Sequence, residues 1–253
     1  MTIALIVINV IVSFFLQPKS GIDFSGNSLQ QGALFHYGAI PYELTHPGQH
    51  CDLGTGGCGS SVSDGGIPTW ATVFTGMFTH AGLLHLGGNM LFLWIFGNNV
   101  EDSMGPVRFV VFYLLGGIAA LALQVAIGPD STVPTLGASG AIAGVMGAYF
   151  LLFPHSRIIV MFPLLFLPLF FELPAVTYLA VWALSQVFSG SLSLAVADGV
   201  GGIAWWAHVG GFAAGLILQF FFVRRGRDYR PLARDEYGDE AAWVPAAQWR
   251  RHG

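Results

Sequence analysis

Four side chains that could take part in catalysis lie inside otherwise apolar stretches of this 253-residue chain: His85, Asn89, Ser139 and His208. Polar residues in such stretches are costly and mark functional sites by default. A serine hydroxyl becomes an effective nucleophile when a neighbouring base takes its proton during attack. The sequence therefore predicts nucleophilic catalysis, with Ser139 as the nucleophile and His208 as the base.

A carbonyl attacked by serine becomes an oxyanion, which needs hydrogen-bond donors aimed at it. His85 and Asn89 are four residues apart, so a helix would present both on one face. Ser139 begins an apolar run, where the free N–H groups of a helix N-terminus also attract negative charge. We expect Asn89, His85 and the backbone at Ser139 to stabilise the oxyanion. No acidic residue is placed as an obvious third member, which favours a Ser–His dyad.

Each of these residues has a simpler interpretation when it is taken alone. A lone serine in a membrane helix usually bonds to its own backbone. Asn89 alone would join two helices, and His208 beside Trp205 and Trp206 would be an interfacial residue. The presence of all four together favours a catalytic site over these separate structural roles.

The composition identifies a membrane protein. Hydrophobic residues make up 54% of the chain and charged residues 9%, with a mean hydropathy of +0.63. Soluble domains carry roughly 25% charged residues. The net charge of −4 argues against a nucleic-acid partner, and the length suits one compact domain.

Six apolar runs are visible, at residues 1–17, 79–96, 107–127, 139–153, 158–188 and 204–223. A spanning helix needs about 20 residues, and four of the runs reach or approach that length. The first run has no basic segment or cleavage site of a signal peptide, so we expect a retained helix. The fifth run contains Pro163, Pro168 and Pro174, so a loop or re-entrant piece is expected before its helix.

These runs predict an all-α membrane protein, with a six-helix domain over residues 1–223. Residues 18–78 would form a long outer loop between the first two helices. Residues 224–253 are polar and are expected to be a partly disordered cytoplasmic tail.

Basic residues are concentrated on one side of the predicted membrane. Most of the arginines follow Val223, and Arg108 and Arg157 fall on the same side, whereas Lys19 falls on the other. The positive-inside rule then places both termini in the cytoplasm. We expect a multi-pass protein of a bacterial inner (plasma) membrane.

The outer loop contains both cysteines, Cys51 and Cys58. A disulfide is the simpler prediction for an oxidising compartment. A zinc site with His46 and His50 is the alternative, although the spacing matches no common zinc motif. We expect no metal and no cofactor.

The polar residues are predicted to meet at one depth. The fourth run is only about 22 Å long at 1.5 Å per residue, so Ser139 would lie below the outer surface, level with His85 and His208. The irregular backbone over residues 128–137 is tolerated at that depth only inside protein or beside a water-filled cavity.

Small residues recur at helical spacing beside the predicted nucleophile and base. Gly140 and Gly144 follow Ser139, whereas Gly211 and Gly215 follow His208. Such spacing lets two helix backbones approach closely. Packing alone would explain these glycines, but it would not explain a serine and a histidine at their outer ends.

Three motifs carry a resemblance to a known family: Gly137-Ala138-Ser139-Gly140, His85-x-x-x-Asn89 and Ala207-His208-x-x-Gly211-x-x-x-Gly215. In this order they resemble the rhomboid intramembrane serine proteases. The resemblance implies a six-helix core, with Ser139 as nucleophile and His208 as base. It also implies oxyanion stabilisation by Asn89 and His85. Its implied partners are membrane lipids and membrane-protein substrates with a single transmembrane segment, which would reach the site past the fifth helix.

The chain departs from the family pattern at two positions. Trp70 is followed by Ala71 instead of the arginine found in many members, and Ala143 stands where some members place a tyrosine on the catalytic histidine. Two rival interpretations are a non-catalytic membrane-helix binder on the same scaffold and a transporter with broken helices. The sequence leaves the oligomeric state and the substrate open.

Overall fold

The computed structural model describes residues 1–16, 31–52, 57–60, 67–164, 167–195 and 203–224, and this part of the chain is mostly helical. The first helices in chain order are α1 (Thr2–Ile11, followed by a π-helical turn over Val12–Leu16), α2 (Gln31–Tyr37), α3 (Pro41–Thr45) and α4 (Thr69–Phe78). The later ones are α5 (Leu83–Met104), α6 (Pro106–Ile127), α7 (Ser139–Leu152), α8 (Ala175–Ala195) and α9 (Trp205–Phe222). The predicted cytoplasmic tail, from residue 225 onward, and Lys19 lie outside the described residues.

Three of the described helices, α6, α8 and α9, are long and apolar enough to cross a membrane. α1 and α7 are apolar but shorter. α5 has 22 residues, but its last turns carry Asn98, Asn99, Glu101 and Asp102. The chain turns sharply from α5 into α6 at Gly105, whose φ of 85° favours glycine. Pro106 then begins α6, where a missing N–H costs nothing.

The region predicted as a loop or re-entrant piece is a β-hairpin, so the prediction of an all-α fold needs correction. Strand β3 (Arg157–Leu164) pairs antiparallel with β4 (Leu167–Pro174), with Arg157 opposite Pro174. The segment is rich in β-branched and aromatic residues, which favour strands. Its prolines exclude a helix and lie near the strand ends, where a missing N–H is best tolerated.

The predicted long outer loop contains regular structure in its described parts. Besides α2, α3 and α4, it holds a short hairpin of β1 (His50–Asp52) and β2 (Gly57–Gly59). Backbone hydrogen bonds join it to the segment before α7. Ala39 and Thr135 exchange bonds of 2.9 and 2.8 Å, and the N–H of Gly137 donates to the Gly76 carbonyl at 2.8 Å. This region therefore fixes the backbone that leads into Ser139.

The core lies among α5, α6, α7 and α9. Large side chains that are fully buried here include Phe96, Phe109, Phe112, Tyr113 and Met146. α7 is buried on almost every side, because nearly all of its first eleven residues are enclosed by neighbouring helices. A short helix surrounded by protein can end below a membrane surface, since its polar ends need not face lipid.

Candidate active site

Ser139 and His208 are in hydrogen-bond contact. Ser139 is the first residue of α7, and His208 lies in the first turn of α9. The Ser139 Oγ is 2.8 Å from the His208 Nε2, which is a normal hydrogen-bond length for this pair of atoms. The structure therefore brings together two residues that are 69 positions apart in the chain.

Glycines at the α7–α9 interface make this contact possible. A β-carbon on Gly211 would overlap the Gly140 carbonyl oxygen, and one on Gly215 would overlap the Gly144 carbonyl oxygen. A β-carbon on Gly147 would likewise overlap the Phe212 carbonyl oxygen. The two backbones therefore touch directly, with no layer of side chains between them.

The second ring nitrogen of His208 has a partner that the sequence analysis did not identify. The Gln186 Oε1 on α8 lies 2.7 Å from the His208 Nδ1, and Gln186 is buried. A lone buried glutamine in a membrane helix is itself a signal of function. It could have been found in the sequence on that ground.

Two tryptophans flank the His208 ring. The ring centroid of Trp182 is 5.9 Å away at an interplanar angle of 37°, and that of Trp205 is 6.3 Å away and edge-on. Ala143, at the position of the tyrosine found in some rhomboids, is buried against the glycine interface. The ring contacts of His208 therefore come from α8 and from its own helix.

His85 and Asn89 both approach the turn that precedes Ser139. A β-carbon on Gly137 would lie 2.7 Å from the His85 Nε2 and 3.5 Å from the Asn89 Nδ2. The φ of Gly137 is 107°, which is a further reason for glycine there. Asn89 is buried, and its Nδ2 has no hydrogen-bond partner among the described residues. A buried donor left unpaired beside a cavity is suited to bind an anionic ligand atom.

The hydrogen on the His85 ring can be placed from its neighbours. The backbone N–H of Ala81 can only donate, and it points at the His85 Nδ1 at 3.5 Å. The His85 Nδ1 therefore accepts, and the hydrogen lies on Nε2, the atom next to Gly137. The His80 ring packs edge-on against His85, with centroids 5.2 Å apart.

A cavity of about 620 Å³ opens in front of these groups. Its polar lining includes His85, Asn89, Gln124, Ser139 and His208. Its apolar lining comes in part from α5, α7 and α8, and in equal part from the segments just before α7 and α9: Leu84, Phe92, Ile142, Met146, Trp182, Val133, Pro134, Leu136, Ile203 and Ala204. The cavity therefore reaches between α5 and α8 and has the size of a ligand site.

Gln124 supports the same site from α6. Its Oε1 accepts a hydrogen bond of 3.1 Å from the backbone N–H of Ala207. That N–H belongs to the first turn of α9, and it also donates to the Ala204 carbonyl at 3.1 Å, so Gln124 provides a second acceptor at the helix start. Gln124 thus caps the helix that carries His208, and the sequence analysis did not identify it.

The two cysteines lie apart from this site. Cys51 and Cys58 face each other across β1 and β2 and are joined by a disulfide. Their sulfurs are therefore not available as thiolate ligands. Of the two histidines in the zinc alternative, His46 stacks on Tyr42 and His50 faces Glu43.

Comparison with known proteins gives the same family as the motifs. A family model described as "Rhomboid domain" matches residues 68–225. The chain is 32% identical to "Rhomboid protein 1, mitochondrial" of Saccharomyces cerevisiae over 58% of its own length and 40% of that protein. It is 30% identical to "RHOMBOID-like protein 6, mitochondrial" of Arabidopsis thaliana over 68% and 53%, respectively. It is 39% identical to "Rhomboid protease GluP" of Bacillus subtilis over 31% and 15%.

The matched region thus spans about half or less of each of these relatives. The family model, however, covers more than half of this chain and includes Asn89, Ser139 and His208. The resemblance found in the sequence is therefore confirmed, and this chain belongs to the rhomboid family.

Proposed function

We propose that this protein is an intramembrane serine endopeptidase, which hydrolyses peptide bonds in or near transmembrane segments of other membrane proteins. The contact of 2.8 Å between the Ser139 Oγ and the His208 Nε2 carries the proposal. A serine hydroxyl that is hydrogen-bonded to an imidazole nitrogen at the wall of a cavity is the arrangement that nucleophilic catalysis requires. The name of the Bacillus subtilis relative, a rhomboid protease, supports the same reaction class.

The reaction would run in two steps. His208 takes the Ser139 proton on Nε2 while the Oγ attacks the substrate carbonyl carbon. The oxyanion receives hydrogen bonds from Asn89, His85 and the backbone at Ser139. The C–N bond then breaks, and His208 gives its proton to the leaving amine, so that an acyl-enzyme remains. Water, activated by His208, hydrolyses that ester and restores the serine.

The shape of the cavity supports access from the side. It is lined by α5 and α8, and the outer face of α8 exposes large apolar residues such as Leu184 and Phe188. A substrate helix could slide from lipid between these two helices. Attack at Ser139 needs extended backbone, so the substrate must unwind locally. Clients with glycine or proline near the outer boundary are therefore favoured.

The proposed topology has six spans, formed by α1, α5, α6, α7, α8 and α9. Both termini lie on the basic side of the membrane. The named relatives include mitochondrial proteins and a bacterial one. We therefore broaden the expected location from a bacterial inner membrane to either a bacterial or a mitochondrial membrane. In each, the arginine-rich side of the protein would face inward.

A fluorophosphonate probe tests the proposal without a known client. We expect the purified protein to be labelled at Ser139, with the label located by peptide mass spectrometry. Labelling should disappear in Ser139→Ala and fall steeply in His208→Ala. A model single-span substrate containing a glycine pair should be cut by the parent and left intact by Ser139→Ala.

Thermal unfolding in detergent provides the control for both variants. Loss of labelling counts only where the variant melts within a few degrees of the parent. If the parent binds the model substrate but is neither labelled nor able to cut it, the protein is a non-catalytic helix binder and the proposal fails.

A further inference from the structure

We infer that Gln186 is a positioning residue, which holds His208 in the one neutral tautomer able to accept the Ser139 proton. The inference rests on the proposed function, because it assigns a role within that site. It concerns a residue of α8, the helix that also borders the cavity. Gln186 touches neither the serine nor the space in front of it, and it would act only through the His208 ring.

The orientation of the Gln186 amide follows from its other contacts. Its Nε2 lies 3.3 Å from the Trp182 carbonyl oxygen and 3.0 Å from the Ser185 Oγ. The Ser185 hydroxyl donates its own hydrogen to the same Trp182 carbonyl, at 2.6 Å. Both neighbours of this amide end can therefore only accept hydrogen bonds, so the NH2 group must face them.

The oxygen of the amide must then face His208. The Gln186 Oε1 has no hydrogen to donate, so the contact of 2.7 Å to the His208 Nδ1 requires the hydrogen to lie on Nδ1. A neutral imidazole carries a single N–H. Its Nε2 is therefore left with a free lone pair, which points at the Ser139 Oγ 2.8 Å away. Every hydrogen bond in this series therefore points the same way. Ser139 donates to His208, His208 donates to Gln186, and Gln186 donates to the Trp182 carbonyl.

The neutral character of glutamine limits what it can do. A carboxylate in this position would both orient the ring and stabilise the imidazolium formed during attack. Gln186 lies buried in a membrane helix, where an added charge would be costly. It orients the ring without placing a charge there. Its removal should therefore alter which nitrogen carries the hydrogen, and hence the rate of reaction at Ser139.

The test compares Gln186→Met with Gln219→Met in the full-length protein. Methionine has a similar size and shape, but its thioether sulfur is only a weak acceptor for the Nδ1 hydrogen. Gln219 is also buried, but it lies three turns beyond His208 on α9. We expect fluorophosphonate labelling of Ser139 to slow by about 10–100-fold in Gln186→Met, which is the size of effect seen when the hydrogen-bond partner of a metal-bound histidine is lost. Labelling should be unchanged in Gln219→Met.

The tautomer itself can be read by NMR of protein with 15N-labelled histidine. The signals of His208 are assigned by their loss in His208→Ala. In the parent, the attached hydrogen should be found on Nδ1, whereas Gln186→Met should transfer hydrogen to Nε2. A parent that carries the hydrogen on Nε2 overturns the inference, even if Gln186→Met fails to fold.

The outcomes separate this inference from the proposed function. A parent that is never labelled at Ser139 contradicts the proposed function, while the NMR result still decides the tautomer. A parent that is labelled, together with a Gln186→Met variant that is folded and labelled at the parental rate, overturns the role of Gln186 alone.

Discussion

At the scale of single residues, the site is organised by donors and acceptors whose directions can be worked out. Gln186 faces the Nδ1 of His208, and the Ala81 N–H faces the Nδ1 of His85. The two histidines are therefore set up for opposite tasks. In the proposed reaction, the Nε2 of His208 would accept the serine proton, whereas the Nε2 of His85 would offer its hydrogen to the oxyanion.

Asn89 provides the clearest residue-scale prediction. Its Nδ2 is buried and has no partner among the described residues, so a substrate oxyanion would be its first acceptor. We expect Asn89→Ala to lower kcat by about 10²–10³, as is typical when one oxyanion donor is lost. The measurement is turnover of the model single-span substrate, with KM determined separately.

Asn98→Ala is the matched control, because Asn98 lies on the same helix and, within the described part of the chain, its amide bonds only to the Trp94 carbonyl. Its turnover should equal that of the parent. Parental kcat in Asn89→Ala would show that His85 and the backbone at Ser139 suffice for the oxyanion.

At the scale of elements, two kinds of support position Ser139 and His208. Backbone bonds from Ala39 and Gly76 hold the turn before Ser139. The glycine interface holds α7 against α9, and Gln124 caps the first turn of α9. Neither support involves a reacting group, yet both fix the distance between Ser139 and His208.

The glycine interface predicts a large effect from a single methyl group. Gly211→Ala would place a β-carbon on the Gly140 carbonyl, and overpacking of this kind costs about 1–3 kcal/mol. We expect a lower melting temperature in detergent and slower probe labelling, because the helices must move apart.

Gly87→Ala is the control for that substitution. Gly87 is in α5, and a β-carbon there would meet no atom of the described residues within 4 Å. Alanine also has the higher helix propensity, by up to about 1 kcal/mol, so its melting temperature should stay equal or rise. Equal melting and labelling of Gly211→Ala and the parent would contradict a close-packed interface.

At the scale of the whole molecule, the α2–α4 region and the cavity should lie on the same side of the membrane. The α2–α4 region bonds to the turn before Ser139, and the cavity opens beside that turn. The disulfide of β1 and β2 belongs to the same region. The arginines that follow α9 should lie on the opposite side, at the other end of that helix.

Reporter fusions test this topology in a bacterial host. An enzyme that is active only outside the cytoplasm should be silent when fused after Val223 and active when inserted near Gly56. The fusion after Val223 should be silent because the arginine-rich region after α9 is expected to stay in the cytoplasm, where positively charged segments are retained. The reverse pattern of activity would overturn the orientation and, with it, an outward-facing cavity.

Ser139, His208, His85 and Asn89 could be predicted from the sequence because each is polar within an apolar run. Their common depth in the membrane stays a prediction, which rests on their positions within the apolar runs and on the shortness of the fourth run. Gln186 and Gln124 were missed for a physical reason. Both are visible in the sequence as polar residues within apolar runs, but the sequence does not reveal which faces of α6 and α8 meet α9, and only packing fixes that rotation.

The β3–β4 hairpin was missed for a similar reason. Its strands are apolar on both faces, so the alternation that normally marks a strand is absent. The prolines exclude a helix, but they do not distinguish a hairpin from an irregular loop. The two strands are only recognisable as partners once Arg157 and Pro174 are seen opposite each other.

The direct backbone contact between α7 and α9 has a consequence for how this protein tolerates mutation. In a saturation mutagenesis map, every substitution at Gly211, Gly215 and Gly147, including alanine, should be destabilising, although these glycines lie outside the proposed chemistry. Substitutions there should reduce the amount of folded protein, whereas substitutions at Ser139 should leave the amount unchanged and remove only activity. An added side chain at these glycines would meet backbone atoms of the other helix. Replacing a neighbouring residue by a smaller one cannot remove that clash, so we expect no second-site suppressors for substitutions at these three positions.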